Sequence, residues 1–212
     1  MSGRREEILD AALDIADEHG LEAVSMRALA DRVGVTPMAL YRHVKDKGAL
    51  LDGMLGRLLA ALLPSEPPGE QKQNWEERLT ALAHASRAVT QRHPWAAQLL
   101  FSRPAITPDA VRAVDIIFLA LLEAGVPEPE VPRLERMIST FLIGFAASEA
   151  SGRFAPGSLD PRGRRGQLPD GELPGHGTLA PWLDLPVDLT AEFEADLADI
   201  GRLIRAAAGR TD

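Results

Sequence analysis

The chain has no cysteine among its 212 residues, and it is short of positive charge. Because there are no thiols, disulfides, thiol catalysis and cysteine-ligated zinc are excluded. The formal net charge is −8, which argues against a protein that binds polyanions indiscriminately. Any surface that binds nucleic acid must therefore be local.

Long apolar runs are also missing, although 45% of the residues are hydrophobic. No run approaches the roughly 18 residues of a membrane span. The charged N-terminus MSGRREE lacks the apolar core of a secretory signal. We therefore expect a cytoplasmic protein with no membrane partner.

Signatures of catalysis and of metal binding are absent too. The 5 histidines are scattered, and the chain has no HExxH, no GxSxG and no glycine-rich phosphate loop. We therefore predict no enzyme activity, no metal site and no cofactor. Two alternatives stay open: an all-α enzyme, and an architectural DNA-binding protein without ligand control, which would need more positive charge over the whole chain.

The stretch from Ser25 to Lys47 predicts two short helices joined by a tight turn. Ser25 is a good N-cap, and Gly34 favours the left-handed conformation that ends a helix. Thr36 followed by a proline then starts the second helix. This spacing indicates a helix-turn-helix, whose second helix enters the DNA major groove.

The second helix of this pair has distinct faces. At about 100° per residue, Leu40 and Val44 point inward, whereas Met38 and Arg42 point outward. Five basic and two acidic residues give the stretch a net charge of +3 inside a protein of −8. This asymmetry favours one defined docking face for DNA.

The segment from Arg4 to about Leu59 resembles the N-terminal domain of TetR-family transcriptional regulators. It comprises REEILDAALDIADEHG, the helix-turn-helix and LYRHVKDKGALLDGM. The resemblance implies DNA binding, most often as a repressor, although repression and activation both stay open. We expect DNA contacts from Arg27, Thr36, Pro37, Met38, Tyr41, Arg42, His43 and Lys47.

The rest of the chain reads as further helices, so the fold class is all-α: a three-helix DNA-binding domain on a larger helical bundle. We place the domains at 1–47 and 48–212. A helix is expected from about Asp46 to Leu63, and another from Thr107 to Gly125 with an inward stripe of Val111, Val114, Phe118, Leu121 and Leu122. Residues 152–190 hold 7 glycines and 6 prolines, which predicts a mobile loop.

One helix-turn-helix makes few base contacts, so we expect a homodimer that reads two half-sites of a palindromic operator about 34 Å apart. The resemblance implies an interface through the last two helices. Small residues allow close approach there, and the expected ones are Gly144, Ala147, Ser148 and Ser151 on the first helix and Ala195, Gly201 and Ala208 on the second. The alternative is that these faces only fill the core of one subunit.

The resemblance also implies a small-molecule effector whose binding lowers operator affinity. Candidate ligand contacts are polar or aromatic residues on otherwise apolar helices of the body. They are His84, Trp95, Gln98, Phe118, Met137, Thr140, Phe141, Phe145 and Glu149. This mixture suggests a mainly apolar ligand with one or two polar anchors.

Overall fold

The structure is a computed structural model and describes residues 3–64, 73–153, 171–183 and 185–209. Over those ranges the chain forms α-helices and two short 3-10 turns, without a strand. The all-α fold class predicted from the sequence is confirmed. The basic run at 162–165 lies outside the described residues.

The N-terminal part, which we call the head, contains four helices. They are α1 (Arg4–His19), α2 (Met26–Val33), α3 (Pro37–Leu40) and α4 (Lys47–Ala60), with a 3-10 turn at Leu21–Ala23. Aliphatic side chains of all four helices form one buried cluster, in which Ile8, Leu29 and Leu50 have no exposed surface. Helix α4 runs on from this cluster toward the rest of the molecule.

The remaining helices form the body. They are α5 (Trp75–Arg92), α6 (Ala96–Ser102), α7 (Pro108–Glu123), α8 (Val131–Ala150), α9 (Pro174–Leu183) and α10 (Leu189–Ala208), with a 3-10 turn at Glu128–Glu130 before α8. A second buried cluster joins α5, α7, α8 and α10 around Phe193 and Leu134. Helix α6 differs from its neighbours, because its Ala96 and Leu99 pack into the cluster of the head.

Three predictions about helix extent and orientation need correction. Helix α4 ends at Ala60 and continues as a turn, so the predicted extension to Leu63 is wrong. Helix α9 lies inside the stretch predicted as a loop. Its first residue is Pro174, whose missing N–H costs nothing in a first helical turn.

The inward face of α7 is also shifted from the predicted one. Val111 is 53% exposed and Leu122 is 45% exposed, whereas Ala110, Ala113 and Ile117 are buried. The helix is apolar on nearly every side, so periodicity alone did not identify the face that packs. The neighbours α4, α5 and α8 determine it instead.

The small residues expected at a dimer interface divide into two groups. Gly144 has open space around its Cα, and Ala195 is exposed. Gly201 is buried, and a Cβ there would lie 3.0 Å from the carboxylate oxygen of Glu76 on α5 of the same chain. Ala208 likewise lies against Gly125. Gly201 and Ala208 therefore face the protein's own body, contrary to the prediction.

Candidate DNA-binding face and effector cavity

The turn between α2 and α3 has the capping predicted from the sequence. The Ser25 hydroxyl accepts a hydrogen bond from the backbone N–H of Ala28 at 3.1 Å, and Gly34 has a φ of 71°. The Thr36 hydroxyl accepts from the N–H of Ala39 at 3.3 Å and starts α3. These local contacts set the corner that holds α3 at the surface.

Helix α3 presents one buried and one exposed side. Leu40 is 1% exposed and Val44, just beyond the helix, is 3% exposed, whereas Met38 is 74% exposed and Tyr41 is 47% exposed. All of the predicted DNA contacts are exposed: Arg27, Thr36, Pro37, Met38, Tyr41, Arg42, His43 and Lys47. Sequence and structure thus place them on an accessible face, and their contacts with bases or phosphates stay predictions.

The basic residues of the head differ in whether they already have partners. Arg32 forms an ion pair with Glu18, with 2.5 Å between Nη2 and Oε2. The hydrogen bond from Arg32 lowers the pKa of Glu18, and the same bond raises the pKa of Arg32. Among the described residues, Arg27, Arg42 and Lys47 take part in no such ion pair. Their charge is therefore directed to solvent.

One contact between the head and the body lies at Asp17, near the end of α1. The indole Nε1–H of Trp95 donates to Asp17 Oδ1 at 2.7 Å, and His93 Nδ1 lies 2.7 Å from the same oxygen. The aromatic rings of His93 and Trp95 also meet edge to face. This contact fixes the chain at the start of α6 onto the head.

A second contact lies at Arg103, immediately after α6. Arg103 Nε donates to Asp52 Oδ1 at 2.6 Å, and its Nη2 donates to the carbonyl of Gly48 at 3.0 Å. The hydrogen bond to Asp52 raises the pKa of Arg103. Because Gly48 and Asp52 belong to the first turns of α4, Arg103 ties the start of that helix to the body.

A cavity of about 240 Å³ lies between α4 of the head and the helices α5, α7 and α8 of the body. Its wall is mostly aliphatic, with leucines such as Leu55, Leu58, Leu82 and Leu142. The polar residues of the wall are Ser86, Thr90, Arg103, Glu135 and Ser139. A concave, mostly apolar site with a few polar groups is the usual form of a small-molecule site.

The ligand contacts expected from the sequence do not line this cavity. His84, Phe141 and Phe145 belong instead to an aromatic group around Phe193, with ring centroids of Phe145 and Phe193 4.9 Å apart. Trp95 lies at the contact with Asp17. The others lie on the surface or beside the second core cluster, namely Gln98, Met137, Thr140 and the half-buried Phe118.

The aromatic group encloses an ion pair. Arg87 Nη2 donates to Glu149 Oε1 at 2.7 Å, and its guanidinium carbon lies 4.9 Å from the centroid of the Phe193 ring. The hydrogen bond from Arg87 lowers the pKa of Glu149. Glu149 therefore has a structural partner already, and its carboxylate is held by Arg87 and Gln91.

The sequence did contain one signal for the cavity. Glu135, Ser139, Leu142 and Ala146 recur at helical spacing on α8, which puts two polar residues on an otherwise apolar face. The contact of Arg103 with Asp52 had no such signal, because the two residues are 51 positions apart. Only the packed structure brings them together.

No group of three or more metal-binding side chains occurs in the part of the chain that the structure describes. Over the same residues, none of the helices has the length and apolar character needed to cross a membrane.

Two family models match the sequence. One is described as "Bacterial regulatory proteins, tetR family" and matches residues 8–54. The other is described as "Tetracyclin repressor-like, C-terminal domain" and matches residues 67–167. Together they cover most of the head and most of the body.

Curated relatives support the same assignment. The chain is 37% identical over 143 residues to the HTH-type transcriptional repressor DrrR1 of Streptomyces coeruleorubidus, over 67% of this chain and 52% of that protein. It is 31% identical to the HTH-type transcriptional repressor KstR of Mycolicibacterium smegmatis, over 64% of this chain and 71% of that protein. The match thus spans only about half the length of DrrR1.

A solved structure with the same fold is ActR of Streptomyces coelicolor. The apo form superposes with a TM-score of 0.81 at 26% identity, over 99% of this chain and 98% of that chain. ActR has also been solved in complex with actinorhodin, with the same TM-score and identity.

Proposed function

Because the chain belongs to the TetR family of bacterial regulatory proteins, we propose that it is a transcriptional repressor that releases a palindromic operator when a small molecule binds in the body. The observation that carries this proposal is the contact of Arg103 with the start of α4. Arg103 lines the cavity, and α4 packs in the same cluster as the helix-turn-helix. A ligand in the cavity can thus change the orientation of the head, because Arg103 and α4 connect the cavity to the helix-turn-helix.

In this proposal the head binds DNA with two kinds of contact. Tyr41 and Lys47 neutralise or hydrogen-bond phosphates, which gives affinity without sequence preference. Arg42 reaches a base edge, where a bidentate contact with guanine gives about 1–3 kcal/mol of discrimination. Met38, at 74% exposure, supplies an apolar contact such as a thymine methyl.

We assign DNA binding to the predicted domain 1–47, and ligand binding and dimerisation to the predicted domain 48–212. We propose that two subunits associate through α8 and α10. In support, the outward face of α10 carries small and apolar residues, among them Ala191, Ala195, Ala198 and Leu203. On α8, Gly144 has open space and Met137 is 36% exposed. Exposed apolar residues that group together on a surface are a common feature of interfaces.

Release of the operator follows from linkage. The heads of the dimer fit the operator at one spacing only. A ligand that binds more tightly to the dimer with another spacing lowers operator affinity. At saturation, the factor is the ratio of the ligand's affinities for the two forms of the dimer. Leucines of α4 form part of the cavity wall. A ligand that fills the cavity therefore contacts α4 directly and can favour one position of this helix over another.

The test begins with selection of bound duplexes from a random DNA pool by the full-length protein. We expect a palindrome with half-sites about one helical turn apart. The selected duplex is then titrated with salt for the parent, Lys47→Ala and Arg42→Ala. Lys47→Ala should weaken binding to all sequences and reduce the salt slope by about 1, whereas Arg42→Ala should relax one base position.

Arg112→Ala is the matched control, because Arg112 is an exposed arginine on α7, far along the chain from the head. It should bind the selected duplex like the parent. If the pool yields no enriched sequence although the protein is folded and dimeric, DNA recognition by this head is refuted.

A further inference from the structure

We propose that the effector of this cavity is an apolar cation whose positive charge pairs with Glu135. The inference rests on the proposed function, because it names the chemical class of the ligand for the same site. It follows from the charges and the hydrogen-bonding groups of the wall.

Glu135 is a carboxylate on a mostly aliphatic wall. Its neighbour Ser139 donates to Glu135 Oε1 at 2.6 Å, and no Lys, Arg or His of the described residues pairs with it. A charged group loses hydration in apolar surroundings unless a countercharge replaces the water. When a ligand expels water from this cavity, Glu135 is the group that needs a positive partner.

Arg103, the cation of the wall, already has its partners. Its guanidinium binds Asp52 at 2.6 Å and the carbonyl of Gly48 at 3.0 Å. An anionic ligand would have to share the guanidinium with Asp52, whose side chain is only 20% exposed, and the two negative charges would repel each other. Because Asp52 neutralises Arg103, the uncompensated charge of the wall is the carboxylate of Glu135.

The hydroxyl groups of the wall favour the same ligand. Ser86 Oγ donates to the carbonyl of Leu82 at 2.8 Å, and Thr90 Oγ1 donates to the carbonyl of Arg87 at 2.9 Å. Ser139 donates to Glu135. Each hydroxyl thus uses its O–H to donate a hydrogen bond within the protein, and only its lone pairs are available to a ligand. Lone pairs and a carboxylate receive an ammonium group, whereas a carboxylate ligand would find no donor among these three hydroxyl groups.

The experiment compares three probes that share one aromatic ring system and differ in the polar group. They are 1-naphthylmethylammonium, 1-naphthylmethanol and 1-naphthylacetate. Calorimetry measures the Kd of each for the full chain and for the variants Glu135→Gln and Glu128→Gln. The second variant removes a carboxylate from the exposed 3-10 turn before α8 and is the matched control.

We expect the ammonium to bind at least about tenfold more tightly than the alcohol, and the acetate to bind most weakly. Glu135→Gln should abolish the preference for the ammonium, while Glu128→Gln retains it. Ser139→Ala removes the hydroxyl that donates to Glu135 and keeps the charge, so the preference for the ammonium should increase. This variant tests the proposal even if Glu135→Gln does not fold.

Equal binding of the three probes, tighter binding of the acetate, or no saturable binding of the ammonium would overturn the inference. The selected operator separates this failure from failure of the proposed function. If the alcohol or the acetate releases the operator at a lower concentration than the ammonium does, the regulator is confirmed and the cationic class is wrong. If the ammonium binds through Glu135 but no operator exists, the ligand class stands and the regulatory function falls.

Discussion

The head and the body each bury one apolar cluster, but they differ in the exposure of their ion pairs and in the unfilled space beside the cluster. The ion pair between Arg57 and Asp10 of the head lies on its surface, where the two side chains are 43% and 50% exposed. The body takes a charge pair inward, since the side chains of Arg87 and Glu149 are 10% and 16% exposed. The body also forms most of the wall of the cavity of about 240 Å³.

This difference suits two tasks. A closely packed aliphatic cluster has one favoured arrangement, so it presents α3 in a fixed orientation. A body with unfilled space has room for a ligand. The comparison predicts that substitutions in the head disturb DNA binding selectively, and that substitutions in the body disturb the response to a ligand.

The largest expected effect is that of Leu40→Ala in the head. Leu40 is 1% exposed, and its removal leaves a cavity beneath α3, which costs about 2–5 kcal/mol of unfolding free energy. Urea unfolding measures the loss, and fluorescence anisotropy measures the accompanying loss of operator binding. Ligand binding in the body should persist below the unfolding transition.

The control for Leu40→Ala is Leu122→Ala in the body. Leu122 is 45% exposed, so the same truncation should cost less than about 1 kcal/mol. Equal losses of unfolding free energy in the two variants would mean that Leu40 is packed no more closely than Leu122 on the surface of α7.

The second prediction concerns the passage of α4 from head to body. A Cβ on Gly56 would lie 2.6 Å from Oγ1 and 3.1 Å from Cβ of Thr107, the N-cap of α7. Gly56→Ala should therefore displace α7 from α4 and cost about 1–3 kcal/mol in unfolding free energy. It should also weaken the effect of a ligand on operator affinity more than it weakens operator binding itself.

Gly53→Ala, one turn earlier on α4, is the matched control. Its Cβ would lie 2.7 Å from Cδ2 of Leu9, at the far end of a side chain, whereas a Cβ on Gly56 would also come within 3.1 Å of the Cβ of Thr107. The cost should be smaller than at Gly56. The reverse order would show that the close approach of α4 to α7 does not constrain this helix.

How much the sequence predicts also differs between head and body. In the head the signals are local: Ser25, Gly34 and Thr36 each act on residues within one turn, and all three have the predicted conformations. The inward face of α7 depends on distant partners, and the predicted stripe at Val111 and Leu122 was wrong for that reason. The cavity combines residues of several helices, so no single stretch of sequence specifies it.

The third prediction concerns acid. Hydrogen bonding to Arg87 lowers the pKa of Glu149 below its ordinary value of 4.5 in the folded state. The pair therefore stabilises the fold fully above pH 4.5, and this contribution is lost as the pH falls through the lowered pKa. Wild-type stability should decline more steeply than that of Glu149→Gln below this pH, as measured by urea unfolding across the acid range.

Glu128→Gln is the control for the loss of one carboxylate. If Glu149→Gln and the wild type lose stability in parallel as the pH falls, the ion pair inside the body contributes nothing that depends on protonation.

The smallest expected effect belongs to the ion pair on the surface of the head. Arg57 Nη2 lies 2.7 Å from Asp10 Oδ1, but both side chains are about half exposed and the charges are screened by water and salt. Asp10→Asn should thus cost less than about 1 kcal/mol, and added salt should reduce even that difference.

Glu149→Gln leaves Arg87 in apolar surroundings without its countercharge, so at neutral pH it should cost more and respond less to salt. Urea unfolding of both variants at low and high salt tests the contrast between head and body directly. Equal costs with equal salt dependence would mean that the two pairs lie in equivalent surroundings, and that the body does not shield its charges from solvent.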